Sequence, residues 1–137
     1  MCGRLVNLTV TLLTASACGP TPEEQSVPVA PDQVNTADGL YLLKLDAVPQ
    51  PFVAGSDASL TVELLADGEV VDGALLNVKP WMPDHGHGIS PGPEVTVQGA
   101  GRYEATWVFS MPGYWELTLT VDADDGQDSA VVAYEVR

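Results

Sequence analysis

The chain has 137 residues, 45% hydrophobic and 18% charged, with 19 acidic against 5 basic side chains and a formal net charge of −14. That length bounds the fold to one ordinary domain with a short extra segment. So acidic a surface excludes nucleic acid and anionic membrane faces as electrostatic partners and favours cations or basic proteins.

Residues 1–17 have the form of a bacterial export signal. Arg4 supplies a positive charge, and an apolar run from Leu5 to Ala15 follows, interrupted by Asn7 and threonines. The run is too short to persist as a membrane-spanning helix. Ala15-Ser16-Ala17-Cys18-Gly19 then has the order of a lipobox, which makes Cys18 the expected lipidation site. A plain secretory signal, or a buried segment with an accidental cysteine, is the alternative. Cleavage before Cys18 discards Cys2 and leaves neither free thiol nor disulfide, so the mature domain relies on its core in an oxidising compartment. It also removes Arg4, leaving four basic side chains against 19 acidic ones and a formal charge of −15. Residues 18–37 carry Pro20, Pro22, Pro28 and Pro31 among polar residues. Proline at that density blocks helix and sheet ladders, so the segment reads as an extended tether.

From Asp38 to Arg137 the pattern is of short period-two runs between turn residues. Strands are predicted over 40–45, 58–65, 75–79, 94–98, 102–109, 115–121 and 130–136. Asp67-Gly68 and Gly99-Ala100-Gly101 carry turn chemistry, and 122–126 reads as a loop. No stretch has useful helical amphipathicity. The expectation is an all-β fold, a seven-stranded immunoglobulin-like antiparallel β-sandwich over 38–137. Trp81, Trp107 and Trp115 are expected in its core because of the area each can bury.

Chemistry concentrates in Trp81-Met82-Pro83-Asp84-His85-Gly86-His87-Gly88, which holds both histidines of the chain, and in Met111-Pro112-Gly113-Tyr114-Trp115. Imidazole serves both copper states and thioether sulfur favours Cu(I). Met82, His85, His87 and Met111 are therefore candidate copper ligands. In extended backbone His85 and His87 point to one side. Asp84 is a candidate hard ligand, or an acceptor fixing a histidine tautomer. Zinc fits less well, with two nitrogens and no thiolate on offer. Strand parity bears on whether these residues meet. If the strand at 75–79 runs upward, 94–98 returns and 102–109 climbs again, so Met111 lies at the same end as the histidine loop. The parity fails if 81–92 crosses the sandwich without reversing.

The same residues have plainer readings. Surface histidines in a Gly-Pro loop need no ligand, and Met82 and Met111 can plug the end of a sandwich. Asp84, His85 and Ser90 have the letters of a hydrolytic triad but lack a nucleophile turn or oxyanion loop. Asp122 to Asp128 echoes the start of a calcium loop without its distal glutamate and flanking helices, and a solvated hairpin loop is the default. No phosphate-binding loop, nicotinamide fingerprint or paired-cysteine motif is present. Nothing in the sequence points to an enzyme.

Four segments together resemble the YtkA-like domain, a relative of the FixH family: Asp67 to Ala74, Met82 to His87, Gly99 to Ala105 and Met111 to Leu117. The resemblance covers about residues 38–136 and is sharpest over 67–121. It implies a small extracytoplasmic β-sandwich, often membrane-tethered. It further implies a role in copper handling or haem-copper oxidase assembly, with copper as the bound ion and an oxidase or other envelope protein as partner. Met82, His85, His87 and Met111 fall on the family's Met-Pro-x-His-Gly-His and Met-x-Gly-x-Trp motifs. An apparent lipid anchor at Cys18 replaces the membrane helix of other members. Gly19 is not the aspartate that retains some lipoproteins at the inner membrane, so a periplasm-facing outer-membrane location is compatible with the sequence. The alternative function is a non-metal, immunoglobulin-like interaction module of the cell envelope, binding through its acidic surface or a strand edge.

Overall fold

A computed structural model describes residues 31–137. The export-signal, Cys18 and early-tether readings lie outside these residues. Ten strands are present: β1 (Gln33–Asn35), β2 (Leu42–Val48), β3 (Asp57–Ala66), β4 (Glu69–Val70), β5 (Leu75–Met82), β6 (His87–Gly88), β7 (Glu94–Gly99), β8 (Arg102–Val108), β9 (Gly113–Ala123) and β10 (Gly126–Val136). They form two antiparallel sheets. One has the order β1-β2-β3-β8-β7 with β4 paired to β3, and the other has the order β10-β9-β5-β6. The all-β antiparallel fold is as the alternation predicted, but the count of seven is not. The three additional strands, β1, β4 and β6, are two or three residues long, too short to show a period of two.

Alternation places the core between the sheets. Leu60, Val62 and Leu64 of β3 and Tyr103, Ala105 and Trp107 of β8 face Val78 of β5, Leu117, Leu119 and Val121 of β9, and Val132 and Tyr134 of β10, all buried. Asp67 and Gly68 join β3 to β4 with φ of 50° and 78°, the paired left-handed geometry of a two-residue hairpin turn. Gly101, at φ +63°, opens the β8 hairpin where an added Cβ would collide with Val70 Cγ1.

The N-terminal edge departs from expectation. Val34 pairs with Leu43, so a segment read as the end of the tether adds a strand to the six-stranded sheet. Asp128 anchors the turn between β1 and β2. Its carboxylate accepts the Asp38 N–H at 3.1 Å and the Leu40 N–H at 3.2 Å. The expected hairpin loop at 122–128 is present but tighter, with Ala123 opposite Gly126, and Asp128 is buried where a solvated loop was expected.

Trp81 is a second correction. On β5 the inward positions are Leu76, Val78, Pro80 and Met82, which leaves Trp81 on the outer face at 40% exposure. Trp107 and Trp115 are buried as expected.

Candidate metal centre

The histidine loop is a hairpin extension of β5. Met82 pairs with His87 and Trp81 with Gly88, leaving Pro83-Asp84-His85-Gly86 as the connection. The Met82 carbonyl accepts both the His85 N–H at 3.3 Å and the Gly86 N–H at 2.8 Å, which closes the turn. Gly86 supplies the φ of +65° that the reversal needs. Gly88 lets β6 approach, since a Cβ there would stand 2.9 Å from the Pro80 carbonyl. Pro80 lacks an N–H, but β6 reaches only Trp81 and Met82, so the ladder loses no donor on that side.

This hairpin brings the candidate ligands together by a route that the i, i+2 spacing did not anticipate. His85 sits in the turn, not in extended backbone. His87 is directly opposite Met82, and paired residues on adjacent strands share a face. Met82 faces inward, so His87 does too. Its ring meets the Trp115 indole edge-on at 5.7 Å and 72°, and His85 lies 5.8 Å from His87 between centroids.

Met111 arrives from the other sheet. β5 runs antiparallel to β9, whose first residues follow directly on Met111-Pro112, so Met111 lies at the end of the sandwich that carries the histidines. The 83–86 turn reverses the chain, residues 89–93 cross between sheets, and the parity survives the crossing. The Trp115 Nε1–H donates to the Met111 carbonyl at 3.1 Å. Met82 comes equally close to this segment: a Cβ on Gly113 would lie 2.5 Å from the Met82 methyl. Met82 is buried within the core, and Met111 is partly buried against it.

Two observations bear on whether the donors could hold copper. An imidazole nitrogen about 2.0–2.1 Å from a metal ion puts its ring centroid about 3.2 Å from that ion. Two imidazoles on one ion then have centroids about 5 Å apart at a tetrahedral angle and about 6.4 Å apart when opposed. The observed 5.8 Å falls between these limits. The second observation is the tautomer. His87 Nδ1 lies 2.9 Å from the Gly88 carbonyl, which can only accept. Nδ1 is therefore the donor, which in the neutral ring leaves the lone pair on Nε2, the arrangement that orients a ligating histidine. That partner is a backbone carbonyl, where the sequence offered Asp84. Among the described residues no hydrogen bond joins Asp84 to either histidine. Nor are three or more His, Cys, Asp or Glu side chains gathered as a metal-binding group, so a site here depends on thioether sulfur beside the imidazoles.

The rim is anionic. Burial, then the Glu116 carboxylate and its hydrogen bond, then Asp84, push the Tyr114 phenol above its ordinary pKa. Ser90, the third letter of the triad reading, instead lines a cleft with Asp57, Ser59 and Thr106.

The YtkA-like family profile matches residues 40–120, and the chain belongs to that family. Its class is thus a YtkA-like antiparallel β-sandwich with its paired histidines on a hairpin at one end. No curated protein matches. Among solved structures, a DUF4785 family protein from Legionella pneumophila is 18% identical with a TM-score of 0.56, the match covering 71% of this chain and 28% of that one. A DUF4426 family protein from Pseudomonas aeruginosa PAO1 is 16% identical with a TM-score of 0.54, over 71% of this chain and 90% of that one. At these identities the likeness is one of fold alone.

Proposed function

We propose that this protein binds copper outside the cytoplasm, through His85, His87 and the thioethers of Met82 and Met111, in copper handling or oxidase assembly. The observation that carries the reading is the histidine pair. Its ring centroids are separated by a distance that two imidazoles on one ion can have, and the neutral His87 ring, donating from Nδ1, would offer Nε2 as a ligand. When bound, copper would supply a soft, redox-active cation. The protein's own part is to hold imidazoles and thioethers together and to fix a tautomer, which is binding rather than catalysis. Cys18 would anchor the protein by lipid on the periplasmic side of the cell envelope, with residues 18–32, ahead of β1, as its tether. An oxidase or other envelope protein would be the partner.

The test is an anaerobic Cu(I) competition titration of the chain carrying Cys2→Ser and Cys18→Ser, which removes thiols that would compete for the metal. One-to-one binding that falls at least tenfold in His85→Ala/His87→Ala is expected. Equal affinity in the two proteins would remove the site from this loop.

A second reading is favoured by one observation. The outer face of the four-stranded sheet carries exposed Leu75, Trp81 and Val131, apolar side chains on a surface otherwise rich in threonine and carboxylates. A non-metal interaction module would use such a face. Substitution of Trp81 and Val131 by serine would then abolish partner capture and leave copper affinity unchanged.

A further inference from the structure

We propose that Trp115 is the positioning residue of this site and sets its preference for Cu(I) over Cu(II), an inference that rests on the copper reading above. Trp115 is fully buried, yet it touches both limbs that carry candidate ligands. Its ring edge seats His87, and its indole N–H holds the Met111 carbonyl. In the connection between β8 and β9 the Gly55 N–H holds the Phe109 carbonyl, and among the described residues no other hydrogen bond ties down Ser110, Met111 or Pro112. The indole is fixed from behind by Phe109, 5.1 Å away, which packs in turn on Phe52 and Trp107. A continuous series of rings thus runs from the core to the histidines. Through it the rigidity of the sandwich reaches a segment that has no ladder of its own.

The two contacts of Trp115 have different consequences for the metal. Imidazole serves both oxidation states, so seating His87 supports either. Thioether is a soft donor that favours Cu(I), so ordering the Met111 segment strengthens Cu(I) selectively. A ligand held in place before the metal arrives loses less freedom on binding. Trp115→Phe separates the two effects, because phenylalanine keeps an aromatic edge for His87 but has no N–H for Met111. The expected loss is that of one hydrogen bond, about five- to tenfold in Cu(I) affinity, with Cu(II) affinity nearly unchanged.

The experiment compares the chain carrying Cys2→Ser and Cys18→Ser with its Trp115→Phe, Met111→Ala and doubly substituted forms. Each is titrated anaerobically with Cu(I) against a competing chelator, and separately with Cu(II). Support is a selective Cu(I) loss in Trp115→Phe that disappears in the Met111→Ala background, where there is no thioether left to position. Equal losses for both ions, or a loss that persists undiminished without Met111, would overturn the positioning role while leaving the copper site standing. No copper binding by the unsubstituted form would overturn both. A measurement without core substitution guards against a variant that folds poorly. In the 15N-labelled protein the Trp115 indole N–H signal should shift on Cu(I) loading more than that of exposed Trp81. Equal or smaller movement of the Trp115 signal would count against the inference.

Discussion

Gly113→Ala probes the contact on which the buried side of the site depends. Gly113 has φ +133°, and a Cβ built there lies 2.5 Å from the Met82 methyl. Carbon atoms in contact prefer about 3.5–4.0 Å, so Met82 must withdraw by about 1 Å or more. Its methyl is the end of a flexible side chain, but it is packed in the core, and a forced rotamer costs about 0.5–1.5 kcal/mol. The backbone contributes more. A side chain in this region of φ is strained by about 1–3 kcal/mol. Together the substitution should cost about 2–4 kcal/mol, which lowers the melting temperature of a domain near this size by about 10–25 °C. Thermal and urea unfolding followed by circular dichroism would measure it. Combining Gly113→Ala with Met82→Ala removes the contact and keeps the backbone strain. The double variant should therefore be more stable than the sum of the single losses by about 1 kcal/mol. A single Gly113→Ala loss below about 0.5 kcal/mol, or strict additivity, would refute the geometry.

Two further predictions concern the fold. Burial pushes the Asp128 carboxyl up, but hydrogen bonds from Thr36 and from the N–H groups of Asp38, Ser129 and Leu40 outweigh it and hold its pKa below the usual value. Such a group contributes stability above its unfolded pKa, about 3.9, and loses it as pH falls through the lowered folded value. Asp128→Asn should flatten the acid side of the stability profile below about pH 4, and an unchanged slope in urea unfolding across that range would contradict it. The second concerns Trp107, whose Nε1 is buried without a partner among the described residues, whereas the indole of Trp115 is satisfied. Trp107→Phe relieves a lone donor and Trp115→Phe strands an acceptor, so the first should cost about 1–3 kcal/mol less than the second. The reverse order in unfolding experiments would show that Trp107 finds a partner.

Much of the sandwich was legible because alternation on long strands is a strong signal. Trp115, Leu117, Leu119 and Val121 repeat with period two, and the buried face of β9 follows them. The two-residue strands carried no such signal. β6 exists because Gly88 permits close approach to Pro80 and Gly86 reverses the chain, neither of which alternation can report. Trp81 misled because its size argued for the core, while its place on β5, one residue out of phase with Val78 and Met82, sent it outward. β1 was hidden because its three residues show no alternation, and the β1–β2 turn that pairs them with Leu42–Lys44 is held by the Asp128 carboxylate, a partner far along the chain. At the site, the residues were legible and their arrangement was only half so. Parity of strand direction put Met111 at the right end, but the tautomer-fixing carbonyl and the role of Trp115 as a bridge are matters of register and packing.

The proposed function stands or falls on imidazole and thioether binding one copper ion together. X-ray absorption at the copper edge reads that ligand set, on the Cu(I)-loaded chain with both cysteines replaced by serine. Imidazole nitrogen and sulfur are expected at one copper, the sulfur component diminished by Met111→Ala. A shell of nitrogen and oxygen alone would contradict it, leaving Met82 and Met111 as core residues and the histidine hairpin without thioether partners.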